Sequence, residues 1–278
     1  MGVKEGNMFG KGGSYDLHIK HDLLTGRMFR QEVINGAIKK LREEMNVETK
    51  ASAKDQVSYD LRKKLAEKGI QPIDSVSGHF VGIKVAERQG GEGTYREAFV
   101  QLADDMTGEI DTVVLNLNSG AGQMAINKLK QVAPGENIAL KLFSSVTDKN
   151  ADGTPINNKA GEQITVVNHF GAINRADGSK ITLDGDTEVK ALHEKLTAER
   201  EALAKKKASK ELLSASINSI KVDAAMETAR FVEGKMDGFK FGGSTSNTEA
   251  RTFNDGDVAF GGDGSEAGFD AGTHKPRN

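Results

Sequence analysis

The chain has 278 residues, room for one large domain or two modest ones. Apolar residues make up 37%, and 32 glycines bring the total to about 49%, ordinary for a soluble domain. The absence of cysteine excludes disulfide scaffolds, thiolate zinc sites, iron–sulfur clusters and a cysteine nucleophile, and the absence of tryptophan argues against a Trp-lined sugar pocket. The net charge of −2 is unevenly spread, from 14 basic against 11 acidic residues over 1–75 to 4 against 7 over 236–278.

Residues 1–75 read as a helical, basic extension. Val33, Ile34, Ala37, Ile38, Leu41 and Met45 recur at spacings of three and four, which predicts a first helix. Val57, Leu61 and Leu65 predict a second, closed by Lys68-Gly69 with Pro72 beyond. From 76 to 183 the apolar period is two, and five strands are expected. Strand 76–88 places Val81, Ile83 and Val85 inward, with Gly78 and Gly82 marking kinks or bulges. Strand 95–103 turns Ala98, Val100 and Leu102 inward, and 110–118 turns Val113, Leu115 and Leu117 inward. A helix over 120–132 follows, carrying Ala125, Ile126, Leu129 and Val132 and ending at Pro134-Gly135. Strands 138–146 and 164–172 complete the set, with a hairpin at Asp177-Gly178 leading into 180–183. Residues 184–235 form a helical segment packing on this core: Val189, Leu192, Leu196 and Leu203 line one side of a charged helix that runs into the basic stretch 205–210, and 223–232 is helical. Residues 236–278, rich in Gly, Ser, Asp and Phe without periodicity, read as a disordered acidic tail.

Three strands, a helix and two more strands is the element order of the five-stranded Greek-key oligonucleotide-binding (OB) barrel, so the expected fold is mainly β with flanking α-helices around such a core. Segment 76–183 and the Gly- and Asp-rich tail resemble the single-stranded DNA-binding proteins of tailed bacteriophages and bacteria, the divergent phage members most of all. The resemblance implies a non-enzymatic protein that coats single-stranded DNA in replication, recombination or repair, with self-association along the strand. In the bacterial relatives an acidic tail docks replication and repair partners. Here Asp255, Asp257 and Phe260, at an internal position, are similar in chemistry and are the candidate docking residues for replication and recombination proteins.

Such binding needs rings for base faces and cations for the backbone. The strand faces opposite the inward ones carry Phe80, Lys84 and Arg88, then Tyr95 and Phe99, then Lys141 and Phe143. Arg96 flanks the glycine-rich loop at 89–93. These eight are the candidate nucleic-acid contacts; the alternative for Phe80, Phe99 and Phe143 is packing beneath the flanking helices. Arg88, Arg96, Lys128 and Lys130 read more readily as solvated surface than as phosphate contacts, and Arg27, Arg30, Lys39 and Lys40 could equally form a basic arm.

Other motifs carry less. Gly120-Ala121-Gly122-Gln123-Met124-Ala125 matches the Gly-x-Gly-x-x-Ala dinucleotide fingerprint, but follows an alternating, half-exposed strand and lacks an acidic residue at the end of the next one. Asp148 to Gly153 reproduces half an EF-hand loop, yet position twelve is Lys159, so a polar turn is expected. His18 and His21 read as a solvated loop, and His79 and His169 as a structural pair across neighbouring strands. No cofactor, metal or membrane partner is expected, and the chain reads as cytoplasmic, in the host cytoplasm if phage-encoded. A structural adaptor of a phage virion, with the same module and no DNA affinity, is the rival expectation.

Overall fold

The structure, a computed structural model, describes residues 17–48, 51–90, 93–150, 152–158 and 160–241. Its elements in chain order are β1 (Ile19–Asp22), β2 (Arg27–Arg30), α1 (Gln31–Val33) running through a π-helical stretch (Ile34–Ile38) into α2 (Lys39–Glu44), and α3 (Gln56–Glu67). Then come β3 (Val76–Gly90), β4 (Gly93–Ala103), β5 (Ile110–Asn116), α4 (Gly120–Leu129), β6 (Asn137–Thr147), β7 (Val166–Arg175), α5 (Thr187–Lys205) and α6 (Lys210–Lys235).

The strands make one sheet in the order β2-β1-β5-β4-β3-β6-β7, antiparallel except where β1 lies parallel to β5. The five predicted strands are present as β3–β7. Two more come from residues 19–30, so the sheet has seven strands where five were expected. It curls into a half-barrel with flanking helices, and its edge strand turns back onto β6, where the Gly26 carbonyl accepts the Ser144 N–H at 3.0 Å. Gly26 adopts φ +69, and a Cβ there would stand 2.8 Å from the Ser144 Cβ, so the turn needs glycine for both conformation and contact. The segment expected as a solvated loop is therefore structural: His18 is buried and His21 lies on β1. Its four residues carry a single strong apolar side chain, too short a pattern for periodicity to reveal.

The inward parity holds for β4 and β5, whose Ala98, Val100, Leu102, Val113 and Leu115 are all buried. On β3 it fails at one place. Phe80 stands opposite Leu102 and Gly82 opposite Gln101, which leaves Val81 as an extra residue, a β-bulge. Before the bulge the inward residues are Val76 and Phe80; after it they are Ile83 and Val85. Phe80 is 0% exposed, so its ring belongs to the core and is unavailable to a base, a correction of its assignment as a nucleic-acid contact.

One face of the sheet is covered by helices. α4 contributes Ala121, Ala125, Ile126 and Leu129, and α6 contributes Val222, Ala225, Met226, Ala229 and Val232 to the same core. Each large aliphatic side chain so buried stabilises by about 1.5–3 kcal/mol. α6 is far longer than the expected 223–232, and residues 236–241, expected in the tail, are also placed: Phe241 packs on the His79 ring at 5.0 Å. The hairpin expected after β7 is a turn with a single bridge, Asn174 to Lys180. A second, smaller core joins Leu24 and Phe29 to Ile38, Leu41, Leu61 and Leu65. α3 is tied to the β1–β2 turn by Arg62, which donates to the Thr25 carbonyl at 2.9 Å, and by the Ser58 hydroxyl, which donates to the Leu24 carbonyl at 2.6 Å.

Close approach fixes the seat of α4. A Cβ on Gly122 would collide with the Asn116 carbonyl oxygen, and one on Gly171 with that of Ala121, both backbone atoms. Gly122→Ala and Gly171→Ala should each destabilise by about 2–3 kcal/mol, lowering Tm by about 4–10 °C in a thermal melt. An unchanged Tm would contradict this packing.

Candidate nucleic-acid interface

Directly opposed residues on antiparallel strands share a face. The β3–β4 register pairs Lys84 with Phe99 and Ala86 with Glu97, so Lys84, Tyr95 and Phe99 fall on one face, as parity predicts, while the Arg88 side chain lies outside what is described. Phe99 continues this row to Val114 on β5, and Val114 to Lys20 on β1. Phe99 is only 7% exposed, with the His18 ring edge-on at 5.6 Å. Lys20 forms an ion pair of 3.1 Å with Glu97, which lies on the same face in the neighbouring row. Lys84 and Tyr95 are half-buried. Arg96 has the opposite parity and is held by Glu87 at 3.2 Å and by Asp223 of α6 at 3.5 Å, a tie between sheet and helix.

The second group lies on β6–β7. Phe143 stands opposite Phe170, and their rings stack with centroids 5.4 Å apart and planes inclined by 26°. The Lys141 ammonium lies 5.7 Å from the Phe143 centroid. All three side chains are half-buried. Phe170 was missed by the sequence reading. Its signal was the alternation of β7, but assigning it a partner needs the hairpin register, which the long 148–165 connection leaves open. The candidate residues thus fall into two groups on different strand pairs. Asp255, Asp257 and Phe260 lie outside the described residues.

Of the basic-arm candidates Arg27, Lys39 and Lys40 are exposed, whereas Arg30 and the lysines of α4 hold structural contacts. Arg30 pairs with Asp111 at 3.1 Å, Lys130 with Asp186 and Glu188, both at 2.9 Å, and Lys128 donates to the Gly171 carbonyl at 2.9 Å. The Gly120–Ala125 motif opens α4 as expected, with Ser119 as N-cap accepting the Gly122 N–H at 3.2 Å. Its glycine at 122 serves helix–strand contact. In the half EF-hand, Asp152 accepts from the Thr154 N–H and hydroxyl at 2.9 and 2.6 Å, and Asp148 accepts from Gln163 at 3.0 Å. These oxygens build a polar turn, and among the described residues no group of three or more potential ligands could hold a metal. No described helix is long and apolar enough to cross a membrane.

His169 meets His21, not His79. The Ser144 hydroxyl lies 2.7 Å from His169 Nδ1 and 3.2 Å from His21 Nε2, with the two rings 5.7 Å apart. His79 instead contacts Asp105 and the Gly135 carbonyl. Burial, then the neighbouring His169, lowers the His21 pKa to about 4. No protein-family model matches the chain, and neither a curated protein nor a solved structure matches it.

The histidine seam sets a pH dependence. Folded His21 titrates near 4 and unfolded His21 near its ordinary 6.5, so on acidification the unfolded chain takes up the proton first. Stability contributed by this site is complete above 6.5 and falls toward pH 4, by about 3 kcal/mol in all. His21→Gln, which keeps a polar partner for Ser144, should flatten that fall when urea unfolding is compared at pH 7.5 and 4.5. An equally steep loss in the variant would contradict the assignment.

Proposed function

We propose that the chain is a non-enzymatic, sequence-tolerant single-stranded DNA-binding protein, with β3–β7 forming an OB-type barrel widened by the β1–β2 hairpin beside β5. The observation that carries this reading is the stacked pair Phe143–Phe170 with the Lys141 ammonium beside it, on an outward strand face. Paired rings with an adjacent cation are what a flexible strand requires: a flat apolar surface for base faces, which every base can use, and a positive charge for the phosphate beside it. Phe99, buried beside the His18 ring, is closed to a base, so the β3–β4 face adds only the half-buried Lys84 and Tyr95. The bent β3, paired to both β4 and β6, and the helix α4 between β5 and β6 support the fold assignment. The protein would work in the cytoplasm, in phage replication, recombination or repair, without a cofactor. Asp255, Asp257 and Phe260 would recruit replication or recombination proteins, and protomers would self-associate along the strand.

Fluorescence anisotropy with labelled oligo-dT of about 30 nucleotides tests the reading. Phe143→Ala and Phe170→Ala should each weaken binding by about 5- to 150-fold, the value of one base–ring stack. Phe80→Ala should instead lower stability by about 3–5 kcal/mol through its core cavity. No binding at low salt, with stable high-order assembly in its place, would favour the virion adaptor.

A further inference from the structure

α5 and the first half of α6 form an antiparallel arm. The α6 residues that enter the main core are Val222 and those beyond it; before them only Ile217 is buried, and on α5 only Leu196. The Ser216 hydroxyl donates to Glu199 at 2.7 Å across the pair. α5 begins where Asp186 and Glu188 meet Lys130 of α4, and its 19 residues carry the turn about 28 Å farther along the helix axis.

At that turn stand Lys205, Lys206, Lys207 and Lys210, all exposed, with no acidic residue from 202 to 210. None of the four is in a salt bridge among the described residues. Lys205 and Lys206 have a structural explanation, since cations at a helix C-terminus complement its dipole. The other two do not. Lys207 has φ +50, and its N–H reaches the Ala204 carbonyl while the Ala208 N–H reaches that of Leu203, both at 3.0 Å. This is a Schellman cap whose left-handed position favours glycine or asparagine. Elsewhere in the chain the same cap uses those residues: Gly69, φ +72, after α3, and Asn46, φ +49, after α2. Lys210 opens α6 at the positive end of its dipole, where a cation is disfavoured, and its charge is offset only by the adjacent Glu211. Two of four lysines therefore occupy places that backbone geometry or electrostatics argue against, which points to a use for the charge itself.

We infer that the α5–α6 turn is a second, phosphate-contacting surface for nucleic acid, one that grips the backbone without reading bases. It carries cations and no ring, so its contacts are purely electrostatic and do not distinguish a single strand from a duplex. The inference rests on the nucleic-acid-binding reading above and adds a site to it.

The test is the salt dependence of oligo-dT binding, measured for the unmodified chain, for Phe143→Ala and for a variant combining Lys205→Gln, Lys206→Gln, Lys207→Gly and Lys210→Gln. Losing four phosphate contacts on a single strand should reduce the slope of log K against log salt by about 3. Lys207→Gly alone should raise Tm by about 2–4 °C, which shows the fold intact, while reducing the slope by about 0.7. An unchanged slope in the four-site variant, with binding weakened in Phe143→Ala, would overturn the tip and leave the aromatic platform. A reduced slope with Phe143→Ala binding like the unmodified chain would support the tip and remove the platform. Failure of the unmodified chain to bind strand or duplex overturns both, as does binding to phosphatidylserine vesicles alone.

Discussion

One inserted residue organises the sheet. The bulge at Val81 lets β3 serve two partners, offering its first residues to β6 and the rest to β4. A bulge bends a strand and adds local twist. The parity change keeps the buried row continuous across the bend, from Val76 and Phe80 to Ile83 and Val85. Without it, the residues beyond Phe80 would present the wrong face, and the seat of α6 would be lined by Lys84 in place of Ile83.

α4 and α6 cover the sheet face that carries Phe80, Val100 and Leu115, and on β6–β7 the Lys141, Phe143 and Phe170 side chains lie on the opposite face. Several of the chain's cations have structural work. Arg30, Arg96, Lys128, Lys130, Arg175 and Lys235 hold elements together through carboxylates or carbonyls. Lys141 on the outer face of β6 and the lysines of the α5–α6 turn are not used in that way.

Much of the fold was legible because its signals are local. The alternation of Ala98, Val100 and Leu102, the stop at Lys68-Gly69 and the helix after Gly120 each arise from neighbours in sequence. What escaped depended on distant partners. β1 exists because β5 and β2 flank it, and nothing in Ile-Lys-His-Asp announces a strand. Phe80 was assigned to the wrong face because a bulge is set by the register with β4. Of the candidate site, Lys141 and Phe143 were found by parity, whereas Phe170 needed the β6–β7 pairing, and Arg96 was claimed by Asp223 of a helix far along the chain. His169 likewise found His21 across the seam that the early hairpin creates.

The most direct measurement is photo-crosslinking of the full chain to oligo-dT bearing 5-iododeoxyuridine, followed by mapping of the modified peptides. The account predicts attachment at Phe143 or Phe170 on β6–β7, with none at the buried Phe80. Crosslinks confined to other surfaces, with β6 and β7 unmodified, would contradict it.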